Sequence, residues 1–204
     1  MQFLASATDV QTVYGLLNAV VVPRPIAWIT SISAQGLVNL APFSFFTLLA
    51  VDPPLLGVSF SQRTSGGRKD TTRNILEQGE FVVHTADETM ASQVATSAGE
   101  FPPEVSEVDL LGLATLSSTT IAVPRLACAP VAMECRYHRT FDLGEGSEFV
   151  IGEVMAIHIR DDLMVEGRVD SAALKPLARI GYSQFARFGG IVPQLAVAGS
   201  LDVT

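Results

Sequence analysis

The pattern of apolar and polar positions along the chain indicates strands more often than helices. In residues 24–33 (RPIAWITSIS), the side chains on both alternating faces are apolar or small. This pattern is typical of a mostly buried strand, because successive side chains of a strand point to opposite faces. Gly36 then predicts a short hairpin turn that needs positive φ. Residues 38–51 and 55–61 predict further extended segments, with Pro42 favouring an edge strand or a bulge.

Two helices interrupt the strand pattern. Asp70 is placed as the N-cap of a predicted helix over residues 71–78, which Gly79 closes. Asp87 is placed as the cap of a second helix, DETMASQVATSA. Capping residues at these spacings predict where each helix begins and ends.

A long hairpin and a short helix complete the predicted elements. The strands are residues 80–86, 129–142 and 147–162, and a glycine turn joins the last two. A short helix interrupted at Pro176 is predicted near residues 170–179. The chain is therefore predicted to be one domain over residues 1–204, with its core over about 15–190. It is expected to be mainly antiparallel β, and barrel closure would remove the exposed strand edges.

Composition and charge narrow the classes of function. The 204 residues carry a net charge of −8, which disfavours nucleic acid or an anionic membrane as a partner. No apolar run approaches the ~20 residues that span a bilayer. The beginning of the chain lacks a signal-peptide pattern, and two cysteines are too few for a disulfide framework. A cytoplasmic protein is predicted.

The first candidate for chemistry is a basic cluster before and within the predicted helix that follows residue 70. It comprises Arg63, Arg68, Lys69 and Arg73 in an otherwise acidic chain. A helix N-terminus offers free N–H groups and a positive dipole end, so this cluster is a candidate phosphate site. The alternative is a solvated basic loop that offsets nearby acids.

The second candidate is the segment from Asn39 to Thr47, which mixes polar groups with three phenylalanines. It is either one wall of a binding pocket or a core strand with its phenylalanines packed inside. The three histidines lack a second ligand at metal-binding spacing, and no dinucleotide fingerprint is present. No catalytic residue and no metal site are predicted.

Three motifs carry a resemblance to a known family. RPIAWITSISAQGLVNLAPFSFF, DPPLLGVSF and KDTTRNILEQGEFVVHTA, in this order, resemble the flavin reductase-like family of FMN-binding split barrels. The resemblance continues through FVIGEVMAIHI and covers about residues 15–190. It implies a six-stranded antiparallel split β-barrel with flanking helices, a homodimer, and FMN as the cofactor.

The resemblance also implies a set of cofactor-binding residues. Their positions in this sequence are Thr30, Asn39, Ala41, Ser44, Phe45, Phe46, Thr47, Ser59, Phe60, Ser61, Arg63, Lys69, Asp70 and Thr71. The segment from Asn39 to Thr47 is expected to border the flavin ring and ribityl chain. The turn formed by Lys69, Asp70 and Thr71 is expected to approach the phosphate.

The implied activity is an FMN-dependent oxidoreductase that passes electrons through the flavin, with NAD(P)H as one candidate donor. Many flavin reductases of this family carry a Gly-Asp-His sequence in the hairpin, whereas this chain has Glu148 there and no histidine. The alternative is therefore a flavoredoxin-like electron carrier that serves a redox partner protein and has no NAD(P)H site. Tyr182 replaces a glycine of the family pattern, and it is expected either to line the flavin site or to pack in the dimer interface.

Overall fold

Seven antiparallel strands form the main sheet of the protein. The computed structural model describes residues 1–192. The strands are β1 (Ala27–Ile32), β2 (Val38–Phe43), β3 (Phe46–Val51), β4 (Pro54–Phe60), β5 (Glu80–Thr85), β6 (Val131–Gly144) and β7 (Ser147–Ile159). Their order in the sheet is β2-β1-β5-β6-β7-β4-β3. The predicted long hairpin is β6–β7, and Gly36 has the expected positive φ of 82°.

The two edge strands of this sheet are neighbours in sequence, which explains its curvature. β2 lies at one edge and β3 at the other, yet only Ser44 and Phe45 separate them. The sheet must therefore curl until its edges approach. The N–H of Ser59 donates to the carbonyl of Phe45 at 2.8 Å, and the rings of Phe43 and Phe60 meet at a centroid distance of 4.5 Å. The prediction of a split β-barrel is confirmed, with seven strands in the sheet rather than six.

Strand β1 is buried on both faces, as its apolar pattern predicts. Ala27 and Ile29 pack into one core cluster with residues of β4, β5 and β7. Trp28 faces the opposite way into a second cluster, and its indole N–H donates to the hydroxyl of Ser97 at 2.9 Å. Pro42 lies in edge strand β2, where a missing ladder donor is tolerated.

Five helices and several short strand pairs flank the sheet. The helices are α1 (Val10–Val20), α2 (Asp70–Gln78), α3 (Ala91–Thr96), α4 (Glu107–Leu110) and α5 (Ser171–Leu174). The short pairs are Arg24–Pro25 with Ala178–Arg179, Ala178–Arg179 with Phe185–Ala186, Thr115–Leu116 with Arg125–Leu126, and Met164–Val165 with Arg168–Val169. Among these helices of residues 1–192, none has the length and apolar character needed to span a membrane.

Two helix starts can be compared with the predictions. Asp87 is a cap as predicted: it accepts the N–H of Thr89 at 2.8 Å and caps the short 3₁₀ helix Glu88–Met90, which leads directly into α3. The prediction that Asp70 is an N-cap is wrong by one residue, because Lys69 holds that position and Asp70 opens α2. The carboxylate of Asp70 instead pairs with Arg63 and Arg73. Helix α1 was not predicted.

Candidate functional site

The main cleft lies where the barrel is split, beside the linker between β2 and β3. Its volume is about 290 Å³, at the lower limit for small-molecule sites. Eight separate parts of the chain supply its lining: α1, the segment before β1, the end of β2 with the linker, the end of β4 with its loop, the start of α2, the region of α3, the start of β7, and the short strands near residues 179–185. The side chains that line it include Tyr14, Asn18, Arg24, Phe43, Ser44, Phe45, Ser59, Ser61, Lys69, Ser147, Arg179 and Phe185.

A smaller side cavity of about 40 Å³ adjoins the main cleft at Lys69. The amide of Asn39 donates to the hydroxyl of Thr71 at 2.8 Å, which ties β2 to the first turn of α2. The buried carboxylate of Glu107 accepts the N–H of Leu40 at 2.9 Å. Burial raises the pKa of Glu107, and the hydrogen bond from Leu40 opposes part of that rise.

Three of the four cations in the basic cluster predicted from the sequence form ion pairs with acids. Arg63 and Arg73 both pair with Asp70. Arg68 makes two hydrogen bonds of 2.8 Å to the carboxylate of Glu148. Within residues 1–192, Lys69 is the member of the cluster without an acidic partner inside 4 Å. Lys69 is therefore the residue of the cluster that remains a candidate for binding an anion.

Lys69 stands where a cation and free backbone donors coincide. As N-cap of α2, it precedes the backbone N–H groups of the first helical turn, which have no partner within the helix. Its Nζ lies 5.8 Å from the centroid of the Phe43 ring, on the wall shared by both cavities. The helix dipole adds to the charge of the lysine. This corner can hold a phosphate or another anion.

A second cationic end of the cleft was not predicted. Arg24 is only 7% exposed, and its Nη1 donates to the carbonyls of Asn18 and Val21 at 2.8 and 2.6 Å. Its Nε lies 3.4 Å from the hydroxyl of Ser44. Arg179 faces Arg24 directly across a short antiparallel strand pair. Burial, and secondly the charge of Arg179, lower the pKa of Arg24.

The sequence contained partial signals for these missed residues. Arg24 opens the RPIAWIT motif, but a single arginine before a strand does not show where it points. Helix α1 has an N-cap at Asp9, which accepts the N–H of Thr12 at 2.9 Å. Apolar residues follow this cap at helical spacing, and Gly15 in mid-helix weakened that signal. Arg179 carried no local signal.

Most of the predicted site residues meet at the two cavities. The main cleft brings together Ser44, Phe45, Ser59, Ser61 and Lys69. The side cavity brings together Asn39, Ala41, Arg63, Lys69, Asp70 and Thr71. Phe46 lines an outer groove that adjoins the main cleft at Arg24, Ser44 and Phe45.

Three predicted residues are engaged elsewhere. Thr30 is fully buried and donates its hydroxyl to the carbonyl of Pro124 at 2.8 Å. Phe60 is 2% exposed and packs edge-on against Phe43 in the core. Thr47 is exposed and donates to the carbonyl of Leu48 at 3.1 Å. The structure gives these side chains partners outside the two cavities.

The chemical character of the main cleft suits a planar organic anion such as a flavin phosphate. Its walls combine the aromatic rings of Phe43, Phe45 and Phe185 with the hydroxyls of Ser59 and Ser61. Cations stand at its ends, and no acidic side chain of residues 1–192 lines it. Within the same residues no cluster of three His, Cys, Asp or Glu side chains is arranged to hold a metal ion.

Comparisons with known proteins agree with this picture. Residues 19–174 match the model of the flavin reductase like domain. Nitrilotriacetate monooxygenase component B from Bacillus cereus superposes with a TM-score of 0.90 at 34% identity, covering 95% of this chain and 98% of that one. For 2-nitrobenzoate 2-nitroreductase from Pseudomonas fluorescens the TM-score is 0.89 at 32% identity, with both chains fully covered. A putative flavin reductase with a split barrel domain from Shewanella frigidimarina shares the fold, with a TM-score of 0.83 at 22% identity and coverage of 97% and 100%. This chain belongs to the flavin reductase-like family.

Proposed function

We propose that the protein is an FMN-binding oxidoreductase that passes electrons through bound FMN, with NAD(P)H as a candidate donor. The observation that carries this proposal is Lys69, the N-cap of α2, which has no acidic partner within 4 Å among the described residues and lies beside a cleft walled by aromatic rings and hydroxyls. Bound FMN would supply the hydride and electron chemistry. Two family members named for redox enzymes superpose over nearly the whole chain.

The side chains of the cleft have distinct tasks in this proposal. Lys69 and the free N–H groups of α2 hold the phosphate, as charge-assisted hydrogen bonds to an anion are the strong ones. Phe45 and Pro42 form part of the wall against which the ring lies. The hydroxyls of Ser44 and Ser59 face the same space, where they can bond the polar edge or ribityl chain of the cofactor.

The visible spectrum of the purified protein tests the cofactor first. Flavin absorption bands, with FMN released on denaturation, are expected. Release of FAD, or a colourless protein that does not bind added FMN, would overturn the proposal. Oxidation of NADH and NADPH is then followed at 340 nm with FMN present. A rate above that of the protein-free control supports NAD(P)H as the donor.

An electron carrier without an NAD(P)H site is the second candidate function. At the start of β7, in the hairpin region where many flavin reductases of this family carry histidine, Glu148 is held by two hydrogen bonds from Arg68. This position offers no imidazole, and the charge of Arg68 is engaged by Glu148 and is not free for the phosphates of a dinucleotide. Stopped-flow mixing of the FMN-loaded protein with NADPH separates the two functions. Slow reduction by NAD(P)H with fast reduction by dithionite favours the carrier.

A homodimer is part of the same proposal. Helix α1 has no buried residue, and Val10, Leu17 and Val20 are each more than half exposed. On β3, Leu48 and Val51 are also more than half exposed. Apolar surface of this extent is typical of an interface between protein chains. Light scattering coupled to size-exclusion chromatography is expected to give twice the mass of the 21.7 kDa chain.

Two further parts of the proposal concern the location of the Tyr182 side chain and the cellular compartment of the protein. Tyr182 is 80% exposed and lines neither cavity, which favours a place in an interface over the flavin site. The two cysteines are free, and the thiol of Cys128 is exposed. An exposed unpaired thiol suits a reducing compartment, so we place the protein in the cytoplasm.

A further inference from the structure

Two arginines without a counter-ion in the described part of the chain face one another at one end of the main cleft. Arg24 and Arg179 are direct cross-strand partners in a short antiparallel pair, so their side chains share one face. Like charges directly opposite each other destabilise a strand pair. Among residues 1–192, neither arginine has an acidic side chain within 4 Å, and no acid lines the cleft.

The arrangement is costly unless an anion joins it. Arg24 is 7% exposed, and a buried cation without a counter-charge is unfavourable. Two carbonyls at the end of α1 satisfy Nη1 of Arg24, and Ser44 is near its Nε. The side chain of Arg179 makes no hydrogen bond to other residues of the described chain, and its guanidinium lies 5.3 Å from the centroid of the Phe185 ring. Donors of both arginines therefore remain available to a ligand.

These arginines lie apart from the proposed phosphate position. Lys69 belongs to the main cleft and to the side cavity. Arg24 belongs to the main cleft and to the outer groove formed by α1 and the linker. The side cavity and the outer groove share no lining residue, so the two cationic positions lie toward different ends of the cleft.

We propose that Arg24 and Arg179 form a subsite for the carboxylate of a small organic acid, which lies in the main cleft beside the cofactor. The position beside the cofactor rests on the proposed function, whereas the carboxylate subsite rests on the arginines alone. Guanidinium groups match carboxylates by paired hydrogen bonds. The rings of Tyr14, Phe45 and Phe185 surround this end, so the acid carries an aromatic or apolar body.

Titration with benzoate and its neutral analogue benzamide tests the subsite. Binding is measured by calorimetry on the purified protein and by the change in the flavin spectrum after loading with FMN. The wild type is expected to bind benzoate more tightly than benzamide. In Arg179→Gln, benzoate affinity is expected to fall roughly ten- to hundredfold, the range for one charge-assisted contact, while benzamide affinity stays unchanged. Arg179→Lys is expected to recover part of the loss.

The matched control is Arg139→Gln on β6. Arg139 also lies over an aromatic ring, at 6.0 Å from the centroid of Phe141, but outside the cleft. Its removal changes the net charge equally and is expected to leave benzoate binding unchanged. Equal binding of benzoate and benzamide by the wild type, or equal benzoate loss in the control, would overturn the proposal.

A second pair of ligands, FMN and riboflavin, distinguishes a carboxylate subsite at Arg179 from a site for the cofactor phosphate. If Arg179→Gln weakens FMN but not riboflavin, then Arg179 holds the phosphate and the carboxylate subsite is refuted. If the wild type binds no flavin, the proposed function fails, and calorimetry with benzoate and benzamide still decides the subsite.

Discussion

Replacement of Lys69 by alanine is the sharpest test of the phosphate position. The change removes the one cation of the basic cluster that has no acidic partner in the described part of the chain, and it leaves the backbone N–H groups of α2 in place. A charge-assisted hydrogen bond contributes about 1.5–3 kcal/mol. Because Lys69 is half-buried, we expect the lower part of this range, a Kd for FMN about 10- to 30-fold higher.

Comparison of FMN with riboflavin isolates the phosphate in this experiment. Kd values are measured from the quenching of flavin fluorescence for the wild type and Lys69→Ala. Riboflavin lacks the phosphate, so its affinity is expected to change by less than about twofold. Higher salt is expected to weaken FMN binding more in the wild type than in the variant, because screening acts on the lysine charge.

The matched control for this experiment is Arg68→Gln. Arg68 lies in the same basic loop, but its charge is already paired with Glu148 and its side chain is 57% exposed. Loss of an exposed ion pair changes binding little. If Lys69→Ala leaves the FMN affinity unchanged, or weakens riboflavin equally, the assignment of the phosphate to α2 is wrong.

Three further predictions concern stability, each measured by urea unfolding. His84 is fully buried, donates from Nδ1 to a backbone carbonyl, accepts an N–H at Nε2, and has its pKa lowered by burial to about 4. His84 therefore binds a proton less readily in the folded state than in the unfolded chain. The free energy of unfolding is expected to fall by roughly 2–3 kcal/mol from pH 7.5 to pH 4.5. In His84→Gln, the free energy of unfolding is expected to depend less on pH. A Cβ at Gly152 would overlap the Phe81 ring, so Gly152→Ala is expected to cost about 1–3 kcal/mol, whereas Gly15→Ala, with open space in α1, should gain about 0.5–1 kcal/mol. Glu134→Gln removes a fully buried carboxylate that accepts four hydrogen bonds, and a loss of about 2–3 kcal/mol is expected; an unchanged midpoint would contradict the assigned role.

The β framework could be predicted because its signals are local. Alternation in residues 24–33, the turn at Gly36 and the hairpin glycines each depend on a few neighbouring residues. The start of α2 was misplaced by one residue because an aspartate before a helix is equally suited to capping and to ion pairing. Only the three-dimensional positions of Arg63 and Arg73 show that Asp70 forms ion pairs. Helix α1 went unpredicted because Gly15 interrupts its pattern.

The site was harder to predict because its charges depend on distant partners. The sequence showed four cations within eleven positions, and it could not show that three of them form ion pairs with acids, two of these with the same aspartate. Glu148, which neutralises Arg68, lies 80 residues away along the chain. The same limit hid the arginine pair, since Arg24 and Arg179 meet only through a two-residue strand pair. Local motifs therefore predicted which segment forms the wall of the cleft. Which cations stay without an acidic partner depends on ion pairs between residues that are distant in the sequence.

The linker formed by Ser44 and Phe45 explains why the cleft lies where it does. It joins the two edges of one sheet, so the backbone there leaves the β ladder at the point where the barrel is split. Phe45 is 47% exposed, and the guanidinium of Arg24 lies 5.7 Å from the centroid of its ring. The same arginine caps the end of α1 through two carbonyls. One side chain therefore contacts the linker, caps the end of α1 and places a cation at the cleft. A change at Arg24 should alter the stability and the ligand affinity together.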